Sequence, residues 1–121
     1  MDNDEYFEQQ DLLREQLREQ LFEHGLSGNI AEFNRTLNEL FDTEGKDDDY
    51  EEAITDELNC LLFDNVAERG HLHMCKRIVE LIEQYHDEEY RRILVEQYIE
   101  NILIRPNPRS AHVLAWLRTL Q

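Results

Sequence analysis

The tightest grouping of side chains able to hold a metal is His71-x-His73 followed by Cys75. On a helix, His71 and Cys75 stand at i and i+4 and share a face. A structural zinc site needs four nitrogen or sulfur ligands, commonly as two close pairs, and only Cys60 is left as a further thiol. The spacing therefore predicts no metal site, and Cys75 reads as a core residue. The acids from Asp42 to Glu52 have the composition of a calcium loop without its pattern, because the sixth position counted from Asp42 is Asp47 and not glycine. Catalysis needs a nucleophile beside a base, or two carboxylates in contrasting environments, set in a cleft. Neither cysteine nor either serine, Ser27 or Ser110, has such neighbours in sequence, and Gly25 and Gly28 lack the strand–helix setting and the basic residue of a phosphate-cradling loop. No catalytic residue, cofactor or metal is expected, and the chain does not read as an enzyme.

What the chain has in quantity is negative charge. Its 121 residues hold 28 acids against 12 lysines and arginines, a formal charge of −16. That length suits one small domain. With 40% apolar residues at regular spacing, the chain should fold despite a mean hydropathy of −0.72. No apolar run approaches the ~18 residues of a membrane span, and Met1-Asp2-Asn3-Asp4-Glu5 is the opposite of a basic signal-peptide start, so a cytoplasmic protein is expected. Two unpatterned cysteines fit a reducing compartment. So negative a field disfavours direct binding to nucleic acid or to an anionic membrane and favours a partner protein with a basic surface.

The charge is concentrated. Residues 1–23 carry eight acids and two arginines, and residues 42–57 carry nine acids and Lys46, whereas from Glu68 onward eight acids balance eight bases. Acid runs keep small domains soluble and favour helix starts. A field of one sign also speeds encounter with a basic partner and rejects like-charged competitors. The candidate docking residues are Asp47, Asp48, Asp49, Tyr50 and Glu51, within the segment Asp42–Glu57 and supported by Glu15 and Glu19. Tyr85, Tyr90 and Tyr98 read either as interface anchors or as helix-packing residues.

Apolar periodicity predicts an all-α fold of about six helices, as antiparallel hairpins over about 4–41, 48–86 and 87–120. The first helix runs from about Asp4 to Glu23 on Leu13, Leu17 and Leu21, and stops at Gly25, Ser27 and Gly28. Ile30, Phe33, Leu37 and Leu40 define the second, with Asn29 as cap. Ala53, Ile54, Leu58, Leu61, Leu62 and Val66 form the third stripe, and Leu72, Cys75, Ile78, Val79, Ile82 and Tyr85 the fourth. The fifth carries Tyr90, Ile93, Leu94, Tyr98, Ile99 and Ile102 on one face, with Val95, Leu103 and Ile104 outside it, so cover on more than one side is expected. Asn107 and Pro108 start a sixth on Val113, Leu114, Leu117 and Leu120.

Aligning Gly28 with Gly70 superposes Leu21 on Phe63, Gly25 on Ala67, Ile30 on Leu72, Phe33 on Cys75, and Thr36-Leu37 on Ile78-Val79. Val66-Ala67-Glu68-Arg69-Gly70-His71-Leu72 resembles the helical pair of an ankyrin repeat, most specifically over residues 61–82. Gly28 and Gly70 are 42 residues apart, and Arg109, at the glycine position of a fainter third copy, follows Gly70 by 39; both spacings exceed the family's ~33, and the Thr-Pro-Leu-His turn is missing. The resemblance implies a short, degenerate ankyrin-like stack; an irregular six-helix bundle is the alternative architecture. A stack implies a non-catalytic interaction module, a small acidic regulator or inhibitor. The alternative is a nucleic-acid mimic that blocks a DNA- or RNA-binding protein. Trp116, Leu117, Leu120 and Ile104 either close the core or leave an apolar end face for a homodimer. The short acidic style also resembles small effectors and effector regulators of intracellular bacteria, which would place the chain in a host cytosol.

Overall fold

Leu17 and Leu21 stand one helical turn apart, and a helix with such a stripe must bury it against a neighbour. In the computed structural model, which describes residues 3–45 and 47–121, that neighbour is the next helix along the chain. Helix α1 (Asn3–Ser27) turns through Gly28 and Asn29 into α2 (Ile30–Asp42), and the two pack closely. Helix α3 begins as Asp48–Glu57, passes through a π turn at Leu58–Leu62 and ends as Phe63–Glu68. It is followed by α4 (Leu72–Tyr85), α5 (Glu88–Ile104), a 3₁₀ turn (Pro108–Ser110) and α6 (Ala111–Thr119). The fold is all-α with six helices, as the periodicity predicts, and no strand occurs among the described residues.

The caps follow from side chains able to accept the free N–H groups of a first turn. Asn29 accepts from the Glu32 amide, Asp87 from that of Tyr90, and Asn107 from that of Arg109. The reciprocal half of a capping box is missing at Asn29, whose own N–H bonds the His24 carbonyl, while the Glu32 carboxylate is held by Arg35.

The hairpins stack in register. Helix α1 packs on α3, α3 on α5, and α4 on α6. Long-range hydrogen bonds join matching places in successive hairpins: Arg69 Nη1 to the Leu26 carbonyl at 3.1 Å, Arg77 Nε to Asn34 Oδ1 at 2.8 Å, and Asn107 Nδ2 to the Glu68 carbonyl at 3.1 Å. The superposed pairs of the repeat share their environments. Leu21, Phe63, Phe33, Cys75, Thr36, Ile78, Leu37 and Val79 are all buried, Ile30 and Leu72 are both half-buried, and Gly28 and Gly70 have φ of 74° and 75°.

Three expectations are corrected. First, α1 does not stop near Glu23 but continues through Gly25 to Ser27. A Cβ on Gly25 would lie 2.5 Å from Leu62 Cδ2, so this glycine serves the close approach of α1 to α3, not a helix end. Second, Ala53 and Leu61 are exposed, and the buried stripe of α3 is Ile54, Leu58, Leu62 and Val66. A strict four-residue spacing drifts around a 3.6-residue helix, and the π turn takes up the drift so that all four point inward. Third, the cover expected of α5 beyond its inner face is only partial: Val95, outside the predicted stripe, is buried, whereas Ile93 within the stripe and Leu103 and Ile104 outside it are exposed, Ile104 at 74%. Among the described residues no further helix lies against that side of the third hairpin.

Candidate functional site

The acidic first half of α3 is divided among three surroundings. At its start, Asp47 caps the helix through its side chain, which accepts from the amides of Asp49 and Tyr50. Asp48 and Asp49 are exposed in the first turn, where the positive end of the helix dipole favours them. None of the three makes an ion pair among the described residues.

The flank of α3 facing α1 is neutralised. Arg18 Nη2 reaches both carboxylate oxygens of Glu57 at 2.7 Å, and Arg14 Nε lies 2.6 Å from Glu44, in the turn before α3. Tyr50 points into this junction. It is half-buried, its hydroxyl has no hydrogen-bond partner among the described residues, and desolvation raises its pKa. Arginines at 14 and 18 thus draw inward the part of the acidic segment nearest them.

On the opposite flank, Tyr85 donates its hydroxyl to Glu51 at 2.9 Å. Burial first, and then the bond to that carboxylate, push the Tyr85 hydroxyl up to about 12. One turn further along, Glu52 and Asp56 reach His86, the residue that ends α4. His86 Nε2 is 2.9 Å from Asp56 Oδ1 and Nδ1 is 3.7 Å from Glu52 Oε1, while the Tyr90 ring stacks on the imidazole at 4.0 Å.

Of the residues singled out for docking, Asp47, Asp48 and Asp49 form an exposed tip, and Glu15 and Glu19 are exposed on α1, lining a shallow groove with Arg18, Phe22 and Glu23. No hydrogen bond or ion pair joins the two groups among the described residues. Tyr50 and Glu51 do not belong to an open face: both are half-buried in contacts within the chain. Tyr98 is core, stacked on Phe63 at 3.6 Å and hydrogen-bonded to Asn59. The proposed apolar end face is narrower than expected, because Leu117 is fully buried and Trp116 is half-buried with Lys76 Nζ 6.0 Å from its ring centroid.

His71, His73 and Cys75 do not converge. Cys75 is fully buried, which pushes its thiol up to about 12; His73 is exposed, and the His71 ring lies against Gly28. Among the described residues, the grouping of metal-capable donors is Glu52, Asp56 and His86. Its i, i+4 carboxylates are visible in sequence, but His86 lies 30 residues beyond Asp56 and only the hairpin brings it back. The chain matches no family model, no curated protein and no solved structure.

Proposed function

We propose that the chain is a non-catalytic protein-binding module, a small acidic regulator or inhibitor that docks on a basic surface of a partner protein through Asp47, Asp48 and Asp49, with Glu15 and Glu19 in support. The observation that carries this reading is the contrast along α3: Glu51, Glu52, Asp56 and Glu57 have partners inside the molecule, whereas three consecutive aspartates at its tip are exposed and without counter-ions among the described residues. A compact run of carboxylates without ion-pair partners among the described residues, at a capped helix start, gives a directional field that speeds association with a cationic surface and falls off with salt.

Of the two cysteines and two serines, Cys60 is exposed, and the surroundings of the other three support a non-catalytic role. The Cys75 thiol is buried and held protonated, Ser27 donates to the His24 carbonyl, and Ser110 donates to that of Asn107. None of these groups sits beside a base in an open cleft.

The test is affinity capture from lysate with the wild type and with Asp48→Lys/Asp49→Lys, which leaves the Asp47 cap in place. Loss of one dominant captured protein with an unchanged circular dichroism spectrum supports docking through the tip. Unchanged capture reassigns the aspartates to solubility. Displacement of the captured partner by excess DNA or RNA, but not by a competing protein ligand, moves the reading to nucleic-acid mimicry.

A further inference from the structure

We propose that Glu52, Asp56 and His86 form a binding site for one divalent transition cation of the zinc class. Three donors of the right chemistry meet there: two carboxylates one turn apart on α3 and an imidazole from the connection after α4, with their ligand atoms all within 4.8 Å of one another. One imidazole and two carboxylates, with a fourth position left to solvent, is a donor set suited to Zn²⁺ and its neighbours. Two carboxylates also balance the charge of a dication.

The imidazole is held in place before any ion arrives. The His86 side chain is only 14% exposed, its ring is stacked on Tyr90, and its backbone N–H bonds the Ile82 carbonyl at 2.9 Å. The carboxylates of Glu52 and Asp56 are each 44% exposed and are free to adjust. Zinc bonds of about 2.0–2.2 Å place tetrahedral donors roughly 3.3 Å apart, so one ion binds all three only after the acid facing the other ring nitrogen swings toward the metal-bound one.

With a neutral His86 ring, one nitrogen faces a carboxylate with no hydrogen between them, a deficit that a proton or a metal cation can fill. A neutral imidazole has one N–H and one lone pair. Both its nitrogens face carboxylate oxygens, so a neutral ring can donate to only one of the two acids and turns its lone pair toward the other. A metal ion on that lone pair takes the carboxylate facing it as a second ligand, and the other acid becomes the third by leaving the remaining N–H and turning toward the ion. The surrounding acids of a −16 chain raise the local concentration of cations.

The experiment is titration of the full chain, stripped of metal, with Zn²⁺ by calorimetry and with Co²⁺ by visible absorption. One saturable equivalent is expected, weakened about tenfold or more by Glu52→Gln, Asp56→Asn or His86→Gln. Asp48→Asn/Asp49→Asn and Cys60→Ser should leave it unchanged, and millimolar Mg²⁺ or Ca²⁺ should not displace it, since those ions prefer all-oxygen shells. The proposal is overturned by an absence of saturable binding, by equal loss in the Asp48/Asp49 variant, by a thiolate charge-transfer band that Cys60→Ser removes, or by displacement with Ca²⁺. If His86→Gln perturbs the circular dichroism spectrum, the two near-isosteric acid variants carry the test.

Discussion

The two ends of the hairpin stack are built on different principles. At the end where each hairpin turns back on itself, the chain is knit to the next repeat. Gly28 sits against the His71 ring, Gly70 against the Arg109 carbonyl, and Arg69 and Asn107 reach backbone carbonyls of the preceding hairpin. At the end where one hairpin passes to the next, the first of the two turns looks outward, while the second holds His86 between acids of α3 and the Tyr90 ring. Gly45 has φ of 67° like its counterparts, yet a Cβ there would meet nothing within 4 Å, and the exposed aspartates follow it. Stacking constrains the first end residue by residue and leaves the second to carry charge.

Gly70→Ala should do the most to break that contrast. Alanine at positive φ costs about 1–2 kcal/mol, and a new Cβ 2.6 Å from a backbone oxygen cannot be relieved by rotating a side chain. A total loss of about 2–4 kcal/mol is expected from urea unfolding, against about 1 kcal/mol for Gly45→Ala, which meets only the backbone term. Equal losses would show that the two ends are alike.

Alkaline unfolding sharpens the picture for the interior and the Tyr85 clasp. Both Cys75 and Tyr85 have folded-state values pushed up to about 12 from ordinary values of 9.0 and 10.0. In each case the unfolded chain gives up its proton first. The stabilisation is therefore whole below about pH 9 for the thiol and pH 10 for the phenol, and is lost as pH rises through about 12. Urea midpoints measured from pH 8 to 11.5 should fall with pH, more gently in Cys75→Val from pH 9 and in Tyr85→Phe from pH 10. At neutral pH, Tyr85→Phe should cost about 1 kcal/mol for the bond to Glu51. A Cys75→Val chain that keeps the wild-type slope would remove the thiol from the explanation.

Much of the knit end is legible in sequence because each repeat writes it separately. Gly28 and Gly70 mark both turns, Asn29 and Asn107 cap as their positions suggest, and the superposed core pairs prove equivalent. What is not legible depends on partners distant in the chain. Gly25 looks like a helix stop until Leu62 is seen against it, and the stripe of α3 misassigns Leu61 because periodicity assumes an unbroken α-helix. Met74 and Leu81 fall off the predicted face of α4 but are buried, since α4 packs against α3, α5 and α6 together. At the open end the sequence marks the acids correctly but does not say which are spent, because the residues that claim them, Arg14, Arg18, Tyr85 and His86, come from other helices or their ends.

The smallest expected effects separate the three tip aspartates from one another. Asp47 accepts two backbone N–H groups that no helical carbonyl can reach, so Asp47→Ala should cost about 1 kcal/mol through loss of the cap. Asp47→Asn should retain most of that, because an asparagine oxygen caps equally well. Asp48 and Asp49 hold no such bond among the described residues; each interacts favourably with the helix dipole but also repels its acidic neighbours. Asp48→Asn/Asp49→Asn should therefore shift stability by no more than about 0.5 kcal/mol in either direction, measured by urea unfolding at low and high salt. A pair of aspartates that contributes nothing to folding stability yet remains exposed at a rigid helix start is what docking requires. If neutralising them destabilises the fold by as much as Asp47→Ala, their role is to hold α3 together and the contrast between the stack's two ends disappears.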